Sequence, residues 1–192
     1  MGSDQSIEKQ IFWCIAFSSF VFVSSVIFGF VIASVNFEDA ENIVREVTSQ
    51  FGYIKDLNAF SIFLYIFFNN SIKGFLAMLS GTFFGIFPFV FLFSNGEFIG
   101  LILGLGETAS VTFRIMIGLL PHGILEIPAI ILSASYGFWL GYRFFKFLVF
   151  REPFKEYFIL AVRKYVRIVL PLLFLAALIE TFVTPAVIKM VR

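Results

Sequence analysis

The stretch IFWCIAFSSFVFVSSVIFGFVIASV, residues 11–35, runs for 25 positions without a charged side chain. Crossing about 30 Å of hydrocarbon at 1.5 Å per residue takes roughly 20 residues. The stretch therefore predicts a membrane-spanning helix, and it is too long for the apolar core of a secretory leader. Lys9 beside Glu8 and Asp4 makes a poor basic leader, so the helix is expected to be retained. The opening Met1-Gly2 with Ser6 fits a myristoylation pattern, but so short a match reads as coincidence.

Composition agrees with that first helix. The chain has 192 residues, 59% hydrophobic and 14% charged, against about 25% charged in an average soluble domain. This excludes a water-soluble domain. Fourteen Lys and Arg against 13 Asp and Glu leave a net charge of +1, which excludes the basic field that a nucleic-acid binder needs. The single cysteine, Cys14, excludes an internal disulfide and any cysteine-based zinc or iron–sulfur site. No cofactor is implied, and residues 1–192 read as one all-α polytopic transmembrane bundle.

Further spans follow from where the charges sit. An acidic segment after residue 35 places Ala40, Ile43, Val44, Val47, Phe51 and Ile54 on one helical face, predicting an amphipathic surface helix over 39–56. Leu57 to Gly96 is too long for one span, and a break at Asn69-Asn70 predicts an interfacial helix before it and a second span over 71–93, ended by the turn signal Ser94-Asn95-Gly96. Residues 98–120 read either as one span with Glu107 and Arg114 facing inward or as a re-entrant pair, with a half-helix from Phe98 to Gly106, a loop at Glu107-Thr108-Ala109-Ser110 and a segment from Val111 broken at Pro121-His122-Gly123. A fourth span covers 124–145 and a fifth 168–189, with Glu180 near its middle.

Between the last two spans lie Arg143, Lys146, Arg151, Lys155, Arg163, Lys164 and Arg167, half of all the basic residues. The positive-inside rule makes this 143–167 segment cytoplasmic, and with five spans it puts the amino terminus inside as well. Its apolar positions Phe154, Tyr157, Phe158, Ala161 and Tyr165 predict a second amphipathic surface helix over 153–166. Small residues recur every four positions at Ser25-Gly29-Ala33, Ala77-Gly81-Gly85, Gly100-Gly104 and Ala129-Ser133-Gly137-Gly141. Such ladders let helices approach closely in lipid, and packing within one chain is the simpler use for them than a dimer face. The phenylalanines read mostly as lipid-facing bulk.

The chemically informative residues are the polar ones that lipid should exclude, since an ionised side chain at bilayer depth costs at least about 2.5–3.5 kcal/mol without a partner. His122 and Glu126 are four apart and share a helical face, Gly123 leaves that face open, and Pro121 and Pro128 each free a backbone carbonyl nearby. Glu180 sits in a ladder with Ala176 and Thr184, followed by Pro185. Asn69, Asn70 and Arg114 complete the set of candidate binding residues. Two uses compete for them: mutual satisfaction that fixes helix register, or a site that binds a cation or relays protons. An intramembrane metal-dependent hydrolase is the weakest alternative, because there is no His-Glu-x-x-His, no Gly-x-Ser-x-Gly and no aspartate after Asp56. Whether a metal binds is open.

The block Leu119-Leu120-Pro121-His122-Gly123-Ile124-Leu125-Glu126-Ile127-Pro128-Ala129-Ile130 resembles the signature of the stage II sporulation protein M family of integral membrane proteins. Asn69-Asn70, Asn95-Gly96 with Gly100, and Ala177-Leu178-Ile179-Glu180-Thr181 with Thr184-Pro185 fit the same pattern, over about residues 10–190. The resemblance implies a helical protein of the cell membrane without catalytic activity, acting as a membrane subunit or scaffold with protein partners. In spore formers those partners degrade peptidoglycan; many relatives occur in organisms that make no spores. A homo-oligomer in the lipid bilayer is expected. A cation or proton channel or transporter stands as the alternative, because mere docking of partners would not need polar residues in the helix core.

Overall fold

The computed structural model describes residues 2–49, 57–106 and 109–190. No strand occurs among them. The helices are α1 (Gly2–Val35), α2 (Phe37–Ser49), α3 (Ala59–Leu79), α4 (Ile86–Gly104), α5 (Ala109–Phe150), α6 (Lys155–Lys164), α7 (Leu170–Leu178) and α8 (Thr184–Met190). Two π turns, Tyr165–Val169 and Ile179–Val183, join α6, α7 and α8 into one rod. Five stretches are long and apolar enough to span a bilayer: Ser6–Val35, Ala59–Thr82, Ile86–Gly104, Gly123–Phe150 and Lys155–Val187.

The number of spans agrees with the sequence reading, but several boundaries differ. The second span begins at Ala59 rather than Ser71, and α3 passes unbroken through Asn69 and Asn70. Their side-chain amides bond to each other and to Glu126, so neither competes with the helix for its own backbone. Ser94-Asn95-Gly96 is likewise helical: Asn95 Nδ2 donates to the Phe91 carbonyl one turn back at 2.7 Å. The turn lies instead at Ser80–Gly85, where a 3₁₀ turn leads to Phe84 at φ 55° and Gly85 at φ 75°. Glycine adopts that left-handed conformation without a Cβ penalty.

The described residues of 98–120 do not form one continuous span; the helix end expected near Gly106 and the new segment expected near Val111 are present, while the break at Pro121 is not. Phe98 to Gly104 completes α4, and Ala109 opens α5, which runs through Pro121 and Pro128 to Phe150. No break occurs at Pro121-His122-Gly123, since membrane helices tolerate proline where neighbouring protein takes up the freed carbonyl. The 153–166 segment is not a separate surface helix either, because α6 is the polar end of the last span. The π turns explain how that rod stays continuous. Each precedes a proline, Pro171 or Pro185, and a wider turn moves aside the carbonyl that the ring would strike.

α2 keeps the expected amphipathic character over its described part; residues 50–56 of the predicted 39–56 helix lie outside the described residues. Glu38 and Asp39 occupy its first turn, where the helix dipole favours them. Ala40 is fully buried against Ala33 and Leu101, which docks α2 on α1 and α4.

Small residues set the closest helix contacts, within the one chain. A Cβ added at Gly29, Gly96 or Gly100 would collide with α4 or α1 backbone or with Ser25, and one added at Gly81 or Gly141 would strike the facing glycine carbonyl across α5 and the Ser80–Gly85 turn. The core lies where α5 crosses the other spans, around Trp139, Tyr165, Met78 and Leu140. Two buried polar tips are satisfied across it: Tyr165 Oη donates to the Ser71 carbonyl at 2.6 Å, and Trp139 Nε1 to Gln10 Oε1 at 3.2 Å. Many phenylalanines face outward, Phe20 and Phe84 among the most exposed.

Gly100→Ala is expected to destabilise the protein by about 1–3 kcal/mol, because its methyl would meet the Val26 carbonyl and the Phe30 backbone. Gly123→Ala, whose methyl meets only Ile127 Cδ1 at 3.7 Å, should be neutral or stabilise by up to about 1 kcal/mol. Thermal unfolding of the detergent-solubilised protein reads both.

Candidate functional site

α3 contributes one continuous stripe, the half-buried Ile62, Tyr65, Ile66, Asn69 and Asn70 followed by the exposed Lys73, at the three- and four-residue spacing of a helix face. This stripe walls an open-sided cavity of about 710 Å³, bounded elsewhere by Val47 of α2, Ser94, Asn95 and Phe98 of α4, Glu126 of α5 and Glu180 of the second π turn. A second cavity, of about 530 Å³, adjoins it. Its wall is mostly apolar, including Ile99, Ile102 and Leu103 of α4 and Ile127 and Ile130 of α5, with Gly123 and Pro128. Asn95, Phe98, Glu126 and Glu180 belong to both walls. The two carboxylates thus stand where a polar space meets an apolar one.

Asn70 Nδ2 donates to Glu126 Oε1 at 2.9 Å, and Asn69 Nδ2 donates to Asn70 Oδ1 at 3.1 Å. The chain of amides holds one oxygen of Glu126 against α3. Lys73, one turn further along the stripe, interacts electrostatically with Glu126. Glu180 lies in a π turn, a geometry frequent at functional sites because it re-aims the side chain relative to the helix on either side. A cavity with two carboxylates and three asparagine amides along its wall, and the exposed ammonium group of Lys73 at its edge, suits a small cation or an exchangeable proton.

The structure brings together Asn69, Asn70, Glu126 and Glu180 as the sequence reading grouped them. Gly123 and Pro128 join the wall of the smaller cavity, while Pro185 is exposed just beyond the π turn. Pro121 lies inside α5. His122 and Arg114 are on the α5 backbone, and their side chains lie outside the described residues. Among the described residues, no group of three His, Cys, Asp or Glu side chains comes together. The expected site lacked the polar wall residues Tyr65, Lys73, Ser94 and Asn95, and an intramembrane acid on α4, Glu97, which lines neither cavity. Lys73 was legible as the next polar position on the Asn69-Asn70 face once α3 is taken as unbroken.

Arg143, grouped by sequence with the wet basic surface, is buried instead, at 5% exposure. Its guanidinium stacks 4.0 Å from the centroid of Tyr157, near Trp139 and Tyr142 as well, and faces Glu152 at 3.5 Å. Lys146 pairs with the same carboxylate at 3.1 Å. Together they clamp the elbow between α5 and α6, where Arg151 adopts φ 58°.

Comparison with known proteins fits this architecture. Residues 18–185 match the family described as stage II sporulation protein M. An uncharacterized protein of Methanocaldococcus jannaschii is 29% identical over 175 residues, spanning 87% of this chain and 91% of its own. No solved structure matches.

A double-mutant cycle on Asn70→Ala and Glu126→Ala, followed by thermal unfolding, should return a coupling of about 0.6–1.7 kcal/mol. Arg143→Lys should destabilise by about 1–3 kcal/mol, since an ammonium replaces neither the planar stack nor the fork; the same measurement checks it.

Proposed function

The chain belongs to the stage II sporulation protein M family, and we propose that it is a non-enzymatic subunit of the cell membrane that takes a small cation or a proton into the Glu126/Glu180 cavity. The observation that carries this reading is the position of those two carboxylates. They come from different helices, far apart in sequence, and line the same two adjoining spaces near the middle of α3 and α4. A set built only to fix helix register would close on itself. Here one amide chain reaches Glu126, while both acids remain part of a cavity wall.

The chemistry follows from the wall. Carboxylate and amide oxygens replace water around a cation, and the low dielectric strengthens each contact. Lys73, exposed at the edge of the same space, adds a positive charge that opposes entry of a cation toward Glu126. In this reading the amino terminus and the basic 143–167 segment face the cytoplasm, and assembly with itself or with other membrane proteins sets the biological context.

Purified protein in liposomes should pass protons or a monovalent cation faster than protein-free vesicles. Glu126→Gln and Glu180→Gln should each lower that flux at least about tenfold, while Lys155→Gln, exposed and remote, leaves it unchanged. Flux equal in all variants, or none in the unaltered protein, would remove the transport reading and leave a scaffold.

A further inference from the structure

Two pairs stand out among the seven basic residues between 143 and 167. Arg143 and Lys146 are engaged by Glu152 and the surrounding rings. Arg163 and Arg167 are exposed, and no ion pair involves either among the described residues. They flank a groove of about 330 Å³ lined by Phe158, Ile159, Val162 and Val166. We propose that this groove is a binding site for one anionic glycerophospholipid, its phosphate between the two guanidinium groups and an acyl chain along the apolar floor.

Position, charge and shape each point to that occupant. The groove sits where α6 passes through the first π turn into the apolar α7, so its basic end lies at headgroup level and its apolar side faces lipid tails. Arg163 and Arg167 are one turn apart, which brings their Cβ atoms within about 5–6 Å on a helix surface, close enough for one phosphate to bridge both. No acidic residue stands three or four positions from either, so no carboxylate on an adjacent turn of the same helix competes for them. The planar guanidinium matches phosphate oxygens two at a time. A zwitterionic lipid would place a cationic headgroup beside two arginines, whereas an anionic one brings only the complementary charge.

Native mass spectrometry of the detergent-purified chain, with phosphatidylglycerol and phosphatidylcholine of identical acyl chains, tests this. The unaltered protein should retain one phosphatidylglycerol in preference to phosphatidylcholine. Arg163→Gln with Arg167→Gln should weaken retention roughly 30-fold, at roughly fivefold per basic group near an anionic surface. Lys155→Gln with Lys164→Gln removes the same charge from the same helix outside the groove and should leave retention within about twofold. Val162→Trp, which fills the floor and keeps both arginines, should also abolish the preference, and it decides the matter if the double arginine variant does not fold. Equal loss in both double variants, or unchanged retention in Val162→Trp, would overturn the site in favour of general surface charge. Displacement by millimolar inorganic phosphate would overturn it in favour of a simple anion site.

Discussion

Hydrocarbon offers no hydrogen bonds, so each polar group that enters it must bring a partner or share a cavity with water. The Asn70–Glu126 bond is where this constraint bears hardest. It joins α3 to α5 across 56 residues of sequence and gives a buried carboxylate a donor. The Tyr165–Ser71 bond, one residue along α3, does the same for a phenol, and together they set the register of α3 against α5 and the last rod.

Register alone would not open a cavity, because close-packed helices leave no room. The chain separates the two tasks. Glycine and serine ladders pull α1 against α4 and the α3–α4 turn against α5, with backbones in contact. Away from those contacts, where Tyr65, Phe98 and Ile127 meet asparagines and glutamates, the helices stand apart and the two spaces form between them. Tight packing in one part of the bundle is what allows a void in another to persist without collapse.

Much of this was legible in the amino-acid order. Hydrophobic length gave the number of spans and placed the first and fourth, the four-residue ladders marked the close contacts, and the cost of polar groups in lipid drew attention to Asn69, Asn70, Glu126 and Glu180, which line one cavity. The failures share one cause: turn-forming residues mean something different in lipid. Asn69-Asn70 and Ser94-Asn95-Gly96 signal turns in water, where the backbone has an alternative partner. Here the amides are spent on each other, on Glu126 and on the Phe91 carbonyl, and the helices continue. The real turn hid inside Ala77-Gly81-Gly85, a pattern whose glycines serve packing and chain reversal at once. Arg143 was misplaced for a related reason, since residue identity does not reveal that Glu152 and three aromatic rings enclose it.

The central claim is that the space beside Glu126 and Glu180 is polar and reachable within an otherwise apolar bundle. Single cysteines at Asn95, on the shared wall of both cavities, and at Leu92, fully buried one turn away on the same helix, test it directly in a Cys14→Ser background. The reagent is a small water-soluble cationic thiol label applied to proteoliposomes. The account predicts that Asn95→Cys is modified and Leu92→Cys is not, with Glu126→Gln slowing the reaction at position 95. Equal reactivity at both positions, or none at position 95, would contradict it.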